Sequence, residues 1–174
     1  DAVAAKPYDL EYHGAWSIDI ESVERAFTSR TRGLLVVNPN NPTGSFVKPA
    51  ELDRMAHLCA AHQAAVIADE VFADYELAPG AASGSAQVLT RRDVLAFSLG
   101  GLSKSIGLPQ AKLGWIGVGG SDAVVGSALD RLELACDTYL SVSTPVQAAA
   151  TELLDRGAFV RRQPDQRVDA GDRD

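Results

Sequence analysis

Apolar residues along this chain fall into two kinds of run. Short unbroken runs rich in β-branched residues and bounded by turn residues predict buried strands. Longer segments with apolar residues three and four apart predict helices. Gly33 to Val37 (Gly-Leu-Leu-Val-Val) is of the first kind and stops at Asn38-Pro39, a turn signal. Ala65 to Ala68 is a second such run, ending at Asp69. Val94 to Ser98 is a third, and Leu113 to Val118, closed by Gly119-Gly120, is a fourth. Tyr8 to Tyr12 reads as a further short strand. Between them, Ile20 to Ser29 places Ile20, Val23 and Phe27 at near-helical spacing behind Asp19 as N-cap. Pro49 suits a first helical turn, and Leu52, Met55, Ala56 and Cys59 give that helix one apolar face as far as His62. Helices are also predicted over 121–135 and 144–156. The Ala-, Gly- and Ser-rich stretch 78–87 predicts a loop, and 161–174, which lose the apolar period, predict a disordered or frayed tail.

Strands alternating with helices predict an α/β fold, a mostly parallel sheet with helices on both faces. Ligands of such sheets bind beyond the carboxyl ends of the strands. Asn41 and Asp69 follow strand ends, and Lys104 follows a strand through a short loop of small residues, so the three converge on one edge. No internal repeat is present.

Composition narrows the partners. At 174 residues, 46% hydrophobic and 22% charged, the chain is long enough for one soluble domain with a sizeable core. A net charge of −7 without a basic stripe argues against nucleic acid. No apolar run reaches membrane-spanning length and no basic-then-apolar leader opens the chain, so no membrane is expected as a partner. Cys59 and Cys136 lie far apart without ligand spacing and read as thiols of a reducing, cytoplasmic compartment. His57 and His62 are five apart, off a common helix face, and His13 stands alone, so none is assigned to metal or catalysis. Gly117-Val118-Gly119-Gly120 is too short and wrongly placed for a dinucleotide fingerprint. Trp16 and Trp115 read as packing residues, and Glu70 as a structural or surface carboxylate.

The chemistry centres on Lys104, in the run Ser98-Leu99-Gly100-Gly101-Leu102-Ser103-Lys104-Ser105-Ile106-Gly107-Leu108-Pro109. A lysine in a small-residue loop directly after an apolar strand can be held partly dry. Desolvation disfavours the ammonium and frees the amine as a nucleophile. Two pieces precede it in order, Asn38-Pro39-Asn40-Asn41-Pro42-Thr43-Gly44 and Ala68-Asp69-Glu70-Val71-Phe72. Singly these are a turn, a capping acid and a surface lysine. Together with Ser103-Lys104-Ser105-Ile106-Gly107-Leu108-Pro109-Gln110-Ala111-Lys112-Leu113-Gly114-Trp115, the ordered set resembles the fold type I pyridoxal-phosphate enzymes, specifically the class I and II aminotransferases, over about residues 7–160.

That resemblance implies pyridoxal 5'-phosphate as cofactor and an exchange of an amino group between an L-amino acid and a 2-oxo acid. It implies that Lys104 forms a Schiff base with the cofactor aldehyde and, once displaced, moves a proton between the substrate Cα and the cofactor. Asp69 then pairs with the pyridine nitrogen and keeps it protonated, so that the ring is an electron sink. Asn41 donates to the ring's phenolic oxygen from a turn shaped by Pro42, Thr43 and Gly44. Lys112 stands where the family usually has a phosphate-binding arginine; it keeps the charge and loses the bidentate fork. Gly101 stands where many relatives have a phosphate-binding serine, with Ser103 as the nearby substitute. Phe72 stands where relatives often carry a tyrosine that contacts the phenolic oxygen; phenylalanine has no hydroxyl to give, and Tyr75 is the candidate replacement.

The family's phosphate loop, stacking aromatic and small domain fall outside this chain by family spacing. Residues 1–160 are therefore expected to be part of the large cofactor-binding domain of a homodimeric parent, with 161–174 a divergent tail. A lyase, decarboxylase or synthase on the same scaffold, or a piece that does not hold cofactor by itself, are the alternatives the motifs leave open.

Overall fold

The computed structural model describes residues 3–75, 86–139 and 141–161. Apart from Arg161, the predicted tail 161–174 lies outside the described residues, as does most of the predicted loop 78–87.

A hairpin opens the fold. β1 (Leu10–Tyr12) pairs antiparallel with β2 (Trp16–Ile18), in the register Leu10↔Ile18 and Tyr12↔Trp16. Only the second half of the predicted 8–12 strand is a strand. Tyr8 instead sends its hydroxyl to the Leu35 carbonyl, 3.1 Å away. β2 is three residues long, too short for its alternation to register in the sequence.

α1 (Ile20–Ala26) starts where Asp19 predicts it, with the carboxylate accepting the Ser22 N–H at 3.1 Å. That bond, helped by Arg25, holds the Asp19 carboxyl below its usual range. The helix ends three residues before the predicted Ser29, because Phe27 turns extended and Thr31 Oγ1 accepts the Thr28 N–H in a local turn.

The main sheet contains β3 (Gly33–Val37), β4 (Ala65–Asp69), β5 (Ala96–Gly101) and β6 (Gly114–Gly119), in that spatial order. β3, β4 and β5 are parallel, and β6 runs antiparallel to β5. Val37, Asp69 and Leu99 stand side by side in one row at the carboxyl end.

α2 (Pro49–Ala61) crosses between β3 and β4. Its residue Glu51 accepts the Lys48 N–H at 2.8 Å and the Ile18 N–H at 3.0 Å, so one carboxylate caps the helix and ties the hairpin to it. α1 and α2 lay Val23, Leu52, Met55 and Cys59 against Leu34, Val36, Val66, Ala68 and Ala96, and this is the core. Burial pushes the Cys59 thiol up to about 12. On the other face of β3, Leu35 is 54% exposed.

β5 departs from the prediction at both ends. It begins two residues later than Val94 and continues through Gly100 and Gly101, which the sequence assigns to a loop. The glycines are strand residues because something lies against them. The Trp115 indole covers Gly100, and a Cβ there would sit 2.3 Å from Nε1. The Leu113 carbonyl comes within 3.0 Å of where a Gly101 Cβ would be. Trp115, expected simply to pack, is both lid and surface, with 41% of it exposed.

One helical turn, α3 (Leu102–Ser105), follows β5 without a break. α4 (Asp122–Thr138), α5 (Thr144–Arg156) and the short α6 (Ala158–Arg161) complete the described chain, with α4 packed by β6.

Candidate active site

The three parallel strands each end in a candidate residue. β3 leads into the turn that holds Asn41, β4 ends at Asp69, and β5 runs directly into the turn that holds Lys104. Neighbouring strands in a sheet lie about 4.8 Å apart, so the ladder row Val37–Asp69–Leu99 sets the spacing from which these segments depart.

The Asn41 turn is built by its own side chains. Thr43 Oγ1 donates to Asn40 Oδ1 at 2.9 Å and lies 2.8 Å from Ser45 Oγ, while the Gly44 N–H donates to the Asn40 carbonyl at 2.7 Å. Gly44 has φ +71°, a conformation that suits glycine. Asn41 is left exposed at the tip. Asp69 is half-buried, and its Oδ1 accepts the Val71 N–H at 3.2 Å. Among the described residues, no group hydrogen-bonds the Asn41 amide, Asp69 Oδ2 or Lys104 Nζ.

Lys104 is not the partly dry loop lysine that the sequence suggests. It sits in the helical turn α3, where Leu102, Ser105 and Ile106 take the buried positions. Residues at i, i+3 and i+4 share a face of a helix, so position 104 points away from that face and the side chain is exposed. Its ammonium lies 5.5 Å from the centroid of the Phe72 ring, within cation–π range. Phe72 meets Tyr75 edge to face at 6.2 Å. The Tyr75 hydroxyl donates to the Lys104 carbonyl at 2.6 Å. The segment after β4 therefore grips Lys104 twice, by a ring near the amine and a hydroxyl on the backbone.

Ser103 is half-buried beside Lys104. Lys112 is exposed and closes the turn Pro109–Ala111 in a left-handed conformation, φ +52°. The Leu102 N–H donates to the Leu113 carbonyl at 3.0 Å, which brings Lys112 and Ser103 to the same junction between β5 and α3. Among the described residues, no group of three His, Cys, Asp or Glu could hold a metal ion, and no helix is long and apolar enough to cross a membrane. Cys59 and Cys136 are both free, the first buried and the second exposed.

Sequence reasoning passed over a second polar cluster. Asn38 is 4% exposed, and its Nδ2 donates to Glu70 Oε1 at 3.0 Å. Ser98 Oγ donates to Glu70 Oε2 at 2.5 Å. Asn38 Oδ1 accepts the Val47 N–H at 2.9 Å. The available signal was a polar residue on each of three otherwise apolar strand segments, with Glu70 directly after the candidate acid.

Residues 2–171 match the family model "Aminotransferase class I and II". The chain is 32% identical over 134 residues to an alanine aminotransferase of Mycobacterium tuberculosis, covering 77% of this chain and 31% of that protein. It is 31% identical over 152 residues to nicotianamine aminotransferase B of Hordeum vulgare, covering 85% and 27%. Its fold superposes on the alanine aminotransferase from Pyrococcus furiosus with a TM-score of 0.68 at 27% identity, over 94% of this chain and 42% of that one. The chain spans less than a third of the length of these two curated relatives. With nearly its whole length matched and its strand ends ordered as described, the chain belongs to the class I and II aminotransferases.

Proposed function

We propose that this chain carries the cofactor-holding part of a pyridoxal-phosphate-dependent aminotransferase, which exchanges an amino group between an L-amino acid and a 2-oxo acid. One observation carries the reading. An amide (Asn41), an acid (Asp69) and an amine (Lys104) follow three consecutive parallel strands in order, each with bonding capacity that no described residue takes up. A flat ring bearing a hydroxyl, a basic nitrogen and an aldehyde needs those three partners. When bound, this cofactor supplies an electron sink for the charge left at the substrate Cα.

The chain's own groups do the rest. Lys104 Nζ is the point of attachment and, when free, the base that takes the Cα proton. Its exposed position, with no hydrogen-bond partner among the described residues, gives the amine room to swing between those two tasks. Asp69, steadied through Oδ1 by the Val71 N–H, holds a proton on the ring nitrogen. Asn41 hydrogen-bonds the phenolic oxygen. Ser103 and Lys112 hold the phosphate, Lys112 as a point charge without the geometric selectivity of an arginine. Phe72 gives the ring no hydroxyl, and Tyr75 acts on the lysine's backbone. The reading extends to a homodimer in the cytoplasm, and it takes residues 1–160 as part of a large domain.

The test is chemical trapping. The complete protein, loaded with pyridoxal phosphate, is reduced with borohydride and mapped by peptide mass. The expected label is on Lys104, and Lys104→Ala abolishes both the label and the visible absorbance band. A label on another lysine, or none, overturns the reading.

A further inference from the structure

Glu70 follows Asp69, and the pleat sends adjacent side chains to opposite faces. The ladder continues through it, since the Glu70 N–H donates to the Leu99 carbonyl at 3.0 Å. Its carboxylate therefore works on the face away from Asp69, where it lines a recess together with Asn38, Phe46, Val88 and Leu89. One oxygen takes the Asn38 amide and the other takes the Ser98 hydroxyl. Asn38 is the first residue after β3 and stands three before Asn41. Ser98 lies within β5, six before Lys104. One carboxylate thus joins the three chain segments that carry the amide, the acid and the amine.

We propose that Glu70 is a positioning residue: by bridging Asn38 and Ser98 behind the sheet, it fixes the relative placement of Asn41, Asp69 and Lys104 and so how tightly pyridoxal phosphate is held. The proposal rests on the function assigned above.

The donor pattern suits a carboxylate, which takes both bonds with charge assistance. Asn38 Nδ2 and Ser98 Oγ both present hydrogens, and only an ionised acid has two acceptor oxygens and no donor. Asn38 cannot turn its amide to suit another partner, because Oδ1 is committed to the Val47 N–H. Flipping it would leave a buried backbone N–H facing an NH2 group. Glutamine at position 70 therefore keeps size and, with the Ser98 hydroxyl turned to accept from its amide, keeps both contacts, but it loses the charge that strengthens them.

A donor–acceptor swap tests this in the complete protein, with pyridoxal phosphate itself as the probe. Glu70→Gln is expected to raise the dissociation constant of pyridoxal phosphate about tenfold, the loss of charge assistance on two hydrogen bonds. The pH midpoint of the visible band should shift as well, while borohydride still labels Lys104. Adding Asn38→Asp returns the negative charge to the cluster, since the new carboxylate accepts from both Val47 and the new amide while the glutamine carbonyl accepts from Ser98, and affinity and midpoint should recover toward wild type. Should Glu70→Gln fail to fold, Ser98→Ala removes one bond at smaller structural cost and carries the same expectation. Wild-type affinity and midpoint in a labelled, folded Glu70→Gln protein would overturn the positioning role alone. So would an Asn38→Asp/Glu70→Gln protein that recovers only its melting temperature. A wild-type protein that takes no label at Lys104 would instead remove the functional reading, and this proposal with it.

Discussion

Tyr75 holds Lys104 by its carbonyl and leaves the amine free, a division of labour set by a single 2.6 Å hydrogen bond. The turn it grips is only four residues long, below the length at which a helix is stable by itself. Contacts from outside must keep it wound. Tyr75→Phe preserves the ring packed on Phe72 and removes the bond. The expected loss is about 1 kcal/mol, or a melting temperature lower by roughly 2–4 °C for a chain of this size. Limited trypsin digestion reads the local effect, because the bond after Lys104 should be cut faster in the variant. An unchanged cleavage rate there would show that the turn does not depend on the hydroxyl. At this scale the sequence was informative where chemistry is local. Asp19 caps α1 through a residue three positions on, and the Asn41 turn closes on Thr43 and Gly44. It was silent where partners are distant. Glu70 meets Asn38 across 32 residues and Ser98 across 28, and nothing in the spacing announces either pairing. The exposure of Lys104 was missed for a related reason. Small neighbours suggested a tight loop, whereas a helical turn placed position 104 opposite its buried face.

Among the elements, β3, α2, β4 and α5 stand where periodicity placed them, because each is a run of one pattern bounded by turn or capping residues. β5 does not, and the cause is glycine. Glycine disfavours strands on average, yet Gly100 and Gly101 extend β5 because the Trp115 ring and the Leu113 carbonyl occupy the space a side chain would need. Two other glycines separate the packing role from the conformational one. Gly119 lies on β6 under the turn Val88–Thr90, and a Cβ there would stand 2.8 Å from the Leu89 carbonyl, a backbone atom with little freedom to yield. Gly119→Ala should therefore destabilise by about 1–3 kcal/mol. Gly126 lies inside α4, and among the described residues no atom beyond its own stretch of helix comes within 4 Å of its would-be Cβ. There alanine lowers backbone entropy in the unfolded chain and improves helix propensity, so Gly126→Ala should stabilise by about 0.5–1 kcal/mol. Urea denaturation of the two variants in the complete protein measures both signs. Destabilisation by Gly126→Ala would mean that α4 packs against something at that position.

On the scale of the whole molecule, the α/β class and the shared strand edge were legible, because alternating strands and helices permit few layer arrangements. What pattern alone does not convey is how unevenly the layers are covered. α1 and α2 seal one face over β3 and β4. Elsewhere α4 buries only Ala128 and leaves Val124, Leu129 and Leu134 exposed, as is Tyr139 just beyond it, while α5 buries no residue. β3 and β6 are the two edges of the main sheet among the described residues, and they present Leu35, Trp115 and Ile116 to solvent. Unpaired strand edges and contiguous apolar surface both favour association, and a net charge of −7 opposes it only at long range. The 174-residue chain expressed alone should therefore self-associate at micromolar concentration and bind a hydrophobic dye. Its association should strengthen with salt, which screens the charge repulsion and leaves the apolar contacts. Light scattering behind a sizing column, run across a concentration and salt series, reads all of this. A monomer that binds no dye at any salt would mean that these faces are already covered within residues 1–174, and that the sheet needs no further strands or partner to be stable.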